Sequence, residues 1–542
     1  MKAMSKPAAP YRFLTACFVL LVLAGFGGSS PLPSNLDAVS VVQLKRHLSF
    51  LASAELGGRY TLSAGNRIAA RYLAAQLEAF GYRGAATDGS FFQKIPFVTR
   101  TGGQDSKLML EGAPKPFVHG EDFILRDPAA TLPNLSLEAE MVFVGYGASH
   151  PKTDAYQTVN AEGRIVLCLA SGTPDVLAGE SLPNDWREKA ALEHGVQAML
   201  LIPDEKLAEG WAQAAAYVRR RSVPRVRPKA SAAKPDQPAI PTFLLSPAAA
   251  ESFLAPFNLT LAQVHEAART GAALPSVAAQ CRCTIRTTEN ERVEYSQNVV
   301  GILDGADPKL KQEFVVLSAH YDHLPAQGDV IFPGADDDGS GTAAVLELAR
   351  AFAEGERPKR SIFILFNTGE EMGLLGSGYF TDQEPLVPLE AIVANFNIDM
   401  IGRSRAPGDD RRENAELTDR DSVFLIGPDK HSRQLFELSE QTNAATVQLR
   451  LDYTYNDEAH PLRLFYRSDH WNFAKRGIPI VFYFTGLHAD YHRPTDTVDK
   501  IDFEKMARIT KLVYATAWRT ANREQRFDLD VWKSRERATP NR

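Results

Sequence analysis

Four apolar runs, each ending in a polar or glycine-containing stretch, dominate the second half of the chain. They are Phe314 to Ala319 (FVVLSA), Ser361 to Phe366 (SIFILF), Ala391 to Ile398 (AIVANFNI) and Ile478 to Phe484 (IPIVFYF). Continuous apolar runs bounded in this way predict strands buried on both faces. Between the first two, Thr342 to Phe352 spaces its apolar residues for a helix. Further helices are predicted from Ala64 to Phe80, ahead of Gly81, and after Asp502. Strands alternating with helices predict an α/β fold around a mostly parallel sheet. Such sheets carry their sites at the carboxyl ends of the strands.

A second pattern fills the middle, roughly Leu135 to Ala279. Met141 to Gly147 (MVFVGYG), Gly163 to Ala170 (GRIVLCLA) and Ala198 to Ile202 predict strands, with a helix from Trp186 to His194. The stretch Arg219 to Pro238 is basic and proline-rich and predicts an exposed loop, as does Arg403 to Asp421.

The polar ends of the four runs hold the chemistry. His320 closes the first run, and Glu370 and Glu371 follow the second through Asn367-Thr368-Gly369. Asp399 follows the third, and the fourth leads towards His492. Asp337 is the middle residue of Asp336-Asp337-Asp338. Alone, each is ordinary. His320-Tyr321-Asp322 also reads as a capped strand end, the triple aspartate as a solvated turn opening a helix, Glu370-Glu371 as surface charge. Their occurrence in order along one α/β pattern is what argues for a site. Carboxylates mixed with two imidazoles suit zinc better than calcium, which prefers all-oxygen sites, or an iron–sulfur cluster, which needs thiolates. Two neighbouring Zn²⁺ ions sharing one carboxylate would use His320, Asp337, Glu371, Asp399 and His492, an arrangement suited to metal-assisted hydrolysis.

Six segments carry a family resemblance: SAHYDHL (Ser318–Leu324), GADDDGSGTA (Gly334–Ala343), NTGEEMGLLGS (Asn367–Ser377), NIDMIGR (Asn397–Arg403), RSDHWNFAKRGIP (Arg467–Pro479) and YHRPTDT (Tyr491–Thr497). Together they resemble the M28 metallopeptidases, from about Asn298 to the helix after Asp502, and HLSFLASAELGGR (His47–Arg59) resembles the start of secreted members. The resemblance implies a doubly wound α/β fold with helices on both faces of the sheet, and two Zn²⁺ per chain. It assigns His320 and Asp399 to one zinc, Glu371 and His492 to the other, and Asp337 as the bridge, with a cis peptide at Asp337–Asp338. It makes Glu370 the general base for a metal-bridged hydroxide, Tyr491 the donor to the oxyanion, and Asp322 the carboxylate that orients His320. Arg467 is a candidate substrate contact or, equally, part of a turn bracing the metal loops; His323 and His488 are expected beside the site without being ligands. The implied activity is removal of N-terminal residues from peptide substrates. Alternatives are a glutamate carboxypeptidase-like exopeptidase, which needs arginines facing the cleft, a single-zinc glutaminyl cyclase-like enzyme, and a non-catalytic receptor-like protein lacking the ligands. The middle segment resembles the β-rich protease-associated (PA) domain inserted in many M28 proteins.

These readings divide the chain into a leader (1–30), an N-terminal part of the peptidase domain (36–134), the PA-like insertion (135–279), the catalytic domain (280–525) and a tail (526–542). A length of 542 residues accords with two or three domains. With 44% hydrophobic and 23% charged residues and a formal net charge of -6, no nucleic-acid partner is expected. Lys2, Lys6 and Arg12 precede an apolar stretch from Phe13 to Phe26, then Gly and Ser, which predicts a secretory signal and a secreted or periplasmic protein. The stretch is shorter than the roughly 20 residues of a spanning helix. An uncleaved N-terminal anchor is the one membrane attachment considered, and no oligomeric state is predicted. Outside the leader stand Cys168, Cys281 and Cys283, an odd number that leaves disulfide pairing unassigned.

Overall fold

The four apolar runs form four adjacent parallel strands of one sheet. The computed structural model describes residues 31–102, 105–125, 134–180, 182–213, 215, 225–226 and 240–532. The predicted leader, nearly all of the basic stretch 219–238 and residues 533–542 of the predicted tail lie outside the described residues. The chain divides into two compact units, one of residues up to Lys94 and from Ser296 on, the other Ile95–Tyr295.

The first unit contains, in chain order, α1 (Val41–Leu51), α2 (Ala64–Ala79), the part of β1 (Glu289–Leu303) from Ser296 on, β2 (Phe314–His320), α3 (Gly341–Glu354), β3 (Ser361–Asn367), β4 (Ile392–Ile398), β5 (Ser422–Ile426), α4 (Arg433–Ala445), β6 (Arg450–Asp452), β7 (Ile480–Phe484) and α5 (Phe503–Asn522). The strand order is β1-β3-β2-β4-β7-β5-β6. β3, β2, β4 and β7 are mutually parallel, while β1 and β5 run antiparallel to β3 and β7. Register sets the level of the site. His320 lies opposite Asn367, and Ser318 opposite Asn397, so the residues just past each strand emerge in one layer.

Alternate side chains of β2 enter different cores, as the two-residue period requires. Val315 and Leu317 join Ile362 and Ile364 against Leu48, Leu73, Leu348 and Val513 from α1, α2, α3 and α5. Val316, Phe363 and Leu365 face the other way, onto Phe380, Phe465 and Phe473. Both faces are therefore apolar, which explains the unbroken hydrophobic runs. Burying each such side chain contributes about 1.5–3 kcal/mol. Helix ends follow local chemistry: the Ser63 side chain accepts from Asn66 N to start α2, and Asp502 accepts from Lys505 N to start α5.

The second unit is an eight-stranded mixed sheet. Ser136–Val144, Ile165–Leu169, Ala198–Ile202 and Thr242–Leu245 are parallel to their neighbours in that order, with Ser276–Arg286 and three short strands antiparallel at the flanks. Helices Trp186–Glu193, Glu205–Glu209, Pro247–Leu254 and Leu261–Thr270 make it less purely β than expected. Its limits are also wider than 135–279. Lys107–Leu110 and Phe123–Leu125, assigned from sequence to the peptidase domain, hydrogen-bond to Ser276–Arg286 and Thr242–Leu245 and so belong to this sheet. Cys168, Cys281 and Cys283 are buried here, and among the described residues Cys281 and Cys283 join no disulfide. Among the described residues no helix is long and apolar enough to cross a membrane.

Candidate metal centre

Past the ends of β2, β3, β4 and β7, the chain delivers a layer of carboxylates and imidazoles. His320 Nε2 stands 3.3 Å from Asp337 Oδ1 and 3.7 Å from Asp399 Oδ1. His492 Nε2 stands 3.1 Å from Asp337 Oδ2 and 3.1 Å from Glu371 Oε2. Two donor sets thus meet at Asp337, one oxygen turned to each. All five residues singled out from the sequence are brought together. His323 joins the second set, with Nδ1 2.7 Å from Glu371 Oε1.

Several of these atoms are buried without hydrogen-bond partners among the described residues: Asp337 Oδ2, Glu371 Oε1, Asp399 Oδ1 and His492 Nε2. Leaving buried polar atoms unsatisfied is costly unless a charge stands among them. The electrostatics point the same way. Burial opposes it, yet Glu370 and Asp399 hold the His320 imidazole well above its ordinary pKa. Burial likewise opposes the shift of His492, which the facing Asp337 and Glu371 raise to about 10. Asp337, although buried, is held well below the carboxylate range by His320 and His492. A space that stabilises positive charge on both sides of one carboxylate fits two cations, and the nitrogen–oxygen donor set fits zinc.

The three aspartates of the Asp336–Asp338 run have separate tasks. Asp337 turns into the site, and its peptide bond to Asp338 is cis, as the resemblance implies. Asp338 Oδ2 accepts from His320 N at 3.2 Å, and its Oδ1 accepts from Gly341 N at 2.8 Å and Met400 N at 3.2 Å. It ties the His320 strand, α3 and the Asp399 loop together. Asp336 Oδ1 accepts from Gly402 N at 2.6 Å. Asp496 Oδ2 accepts from Asp336 N at 2.9 Å and Asp337 N at 3.2 Å, holding the bridging residue's backbone from the far loop.

Asp322 behaves differently from the expectation. Its carboxylate Oδ1 is 3.8 Å from His320 Nδ1, whereas its backbone carbonyl lies at 3.1 Å and accepts from that ring. The carboxylate instead accepts from Thr61 Oγ1 at 3.0 Å and from Glu370 N at 3.2 Å, so it positions the backbone of Glu370. Glu370 Oε2 is 3.9 Å from His320 Nε2. Burial, reinforced by Glu371, Asp399 and Asp469, pushes the Glu370 carboxyl well above its usual range.

A cavity beside these groups is lined by Met400, Leu464, Phe482, Phe484 and Leu487, with Arg467 and Tyr491 supplying polar atoms. The Tyr491 ring stacks on His492, with centroids 3.8 Å apart. Burial, then the charges of Asp337 and Glu371, push its phenol well above the ordinary value, so it stays a hydrogen-bond donor. Arg467 lines the cavity, while its neighbours brace the site. Ser468 Oγ donates to Asp399 Oδ2 at 2.7 Å, and Asp469 accepts from Asn367 Nδ2 at 2.9 Å and Ser377 Oγ at 2.5 Å. Ser468 was invisible as a site residue, because a serine two positions before a histidine has no distinguishing spacing.

Residues 298–517 match the model of peptidase family M28. The chain is 29% identical over 240 residues to aminopeptidase YwaD of Bacillus subtilis (strain 168), covering 43% of this chain and 46% of that protein. It is 31% identical over 263 residues to a probable zinc metalloprotease of Pyrenophora teres f. teres (strain 0-1), covering 43% of this chain and 51% of that one. The chain thus spans about half the length of the curated relatives it matches. Among solved structures it is similar to the aminopeptidase from Aneurinibacillus sp. strain AM-1, at 17% identity and a TM-score of 0.48, over 91% of this chain and 97% of that one.

Proposed function

We propose that the chain is a secreted zinc-dependent aminopeptidase holding two zinc ions. The observation that carries this reading is the meeting of two donor sets at Asp337, beside a carboxylate, Glu370, that neither set needs. His320 and Asp399 would hold one ion, Glu371 and His492 the other, and Asp337 would serve both. When bound, zinc makes water a nucleophile near neutral pH and polarises a carbonyl.

The rest falls to the protein's own groups. Glu370, its backbone positioned by Asp322, accepts the proton of the attacking water and returns it to the departing amine. Tyr491 donates to the oxyanion as it forms. The apolar wall of Met400, Leu464 and Phe482 receives the terminal side chain. A free α-amino group would be held by one zinc or by a nearby carboxylate, a contact that a blocked terminus lacks, and this would confine cleavage to the N-terminus. A carboxypeptidase reading asks for several arginines, and among the described residues Arg467 alone lines the cavity. We read the first unit as a doubly wound α/β domain, the second as PA-like, and export as the task of the predicted leader.

The test is zinc content of the purified chain together with hydrolysis of free-amine and N-blocked amino-acyl anilides. Two equivalents of zinc with cleavage of the free-amine substrates alone is the expected result. Cleavage of blocked substrates, or activity that survives complete zinc removal, would overturn the proposal.

A further inference from the structure

His323 has no part in the scheme above, yet it sits inside the second donor set. It leaves β2 three residues after His320 and is fully buried. Its Nδ1 is 2.7 Å from Glu371 Oε1 and 3.8 Å from Asp337 Oδ2. Its ring stands edge-on to His492, with centroids 5.8 Å apart and planes at 68°.

The geometry separates two roles. A histidine that merely braces Glu371 would aim its N–H along the line to the carboxylate oxygen. Here neither ring nitrogen makes a hydrogen bond among the described residues, and Glu371 Oε1 is unpartnered as well despite the short separation. His492 Nε2 shows the same pattern, 3.1 Å from two carboxylates and hydrogen-bonded to neither. Atoms that crowd together without aiming at one another are arranged around a common point, as donors to one cation are.

The neighbouring backbone is shaped for this ring. Gly334 has φ +56°, and a Cβ there would lie 2.5 Å from His323 Cγ and 2.6 Å from Cδ2. A Cβ on Gly58 would lie 2.4 Å from the carbonyl oxygen of Leu324. Two glycines therefore let the His323 segment settle into this position.

We propose that His323 Nδ1 is a fourth protein donor to the second metal ion, alongside Asp337, Glu371 and His492. This rests on the two-metal reading above. Zinc expands from four to five ligands, so this set leaves a position for solvent or substrate. The two ions then differ in kind, one with a single imidazole and one with two.

The test is a crystal structure of the zinc-loaded full chain, with metals located by anomalous scattering. The expected result is a zinc bound to His323 Nδ1 at about 2.0–2.1 Å. Two zincs with the His323 ring at hydrogen-bonding distance from Glu371 alone would overturn this inference and leave the two-metal reading standing. One zinc with His323 bound would sustain the inference and sink the count of two, and no zinc would sink both. In solution, His323→Ala and His323→Gln should each weaken one zinc by more than the roughly 10–100-fold typical of losing an orienting partner. A loss within that range, with the second equivalent still bound, would count against ligation.

Discussion

Replacing Arg59 with methionine should destabilise the first unit and loosen its metal centre. The Arg59 guanidinium is buried beneath the site and donates to four backbone carbonyls. Nε reaches Tyr321 O at 2.9 Å, Nη1 reaches Leu51 O at 2.5 Å and Pro333 O at 2.6 Å, and Nη2 reaches Gly334 O at 3.0 Å. One side chain therefore pins the end of α1, the peptide between His320 and Asp322, and the start of the loop that carries Asp337. Methionine keeps most of the stem's volume, so the main loss is hydrogen bonding. Gly334 O retains a second donor, Gly339 N at 3.2 Å, which leaves the carbonyls of Leu51, Tyr321 and Pro333 without theirs. At about 1–3 kcal/mol for each unsatisfied buried group, the sum is about 3–9 kcal/mol. Relief from burying a guanidinium, whose charged form burial disfavours, moves the expectation to the low end, about 3–5 kcal/mol. The change also removes the cation that faces Asp322, Asp337, Asp338 and Asp496, and it frees the loops holding His320 and Asp337 to separate. The assays are urea unfolding of the zinc-free chain and competition for zinc with a chelating dye. Lysine should recover only part of the loss, since a point charge cannot span carbonyls on three segments. A shift below about 1 kcal/mol with unchanged zinc affinity would refute the reasoning, because losses of that size are ordinary for surface substitutions.

Glu370→Gln should retain both zincs and lower kcat by about 10²–10⁴-fold, since it removes a proton acceptor and no ligand; parallel loss of zinc and turnover would show the two roles misassigned. Asp337→Ala should lose bound zinc before any other single substitution at the site, which metal analysis after dialysis would show. His470 is buried with Nε2 donating to Phe465 O at 2.8 Å, and burial pushes its pKa down to about 3. Between about pH 6.5 and 3 the unfolded chain therefore binds a proton that the fold refuses, so stability falls as pH falls through that window. His470→Phe should flatten this slope, by up to about 1.4 kcal/mol per pH unit, in zinc-free urea titrations; an unchanged slope would mean that the imidazole is protonated in the fold.

The apolar runs determined the core strands to within two residues, and through them the layer in which His320, Glu371 and Asp399 emerge. A run buried on both faces has few structural options, and residues that end such runs must surface together when the strands are parallel. Spacing along the chain also marked Asp337 and His492, because their types suit a cation. Pairing across long separations was a different matter. Nothing local shows that Ser468 supports Asp399, that Asp496 holds the Asp337 backbone, or that Arg59 reaches carbonyls more than 260 positions away. The same holds for the unit boundary at Ile95 and Tyr295, which depends on which strand the short segments 107–110 and 123–125 join. Residue type also does not say which atom acts: Asp322 orients His320 through its carbonyl while its carboxylate serves Thr61 and Glu370. Periodicity reports burial and direction, both local properties of a chain, whereas partners, atoms and buried charge are decided only when distant segments close on one another.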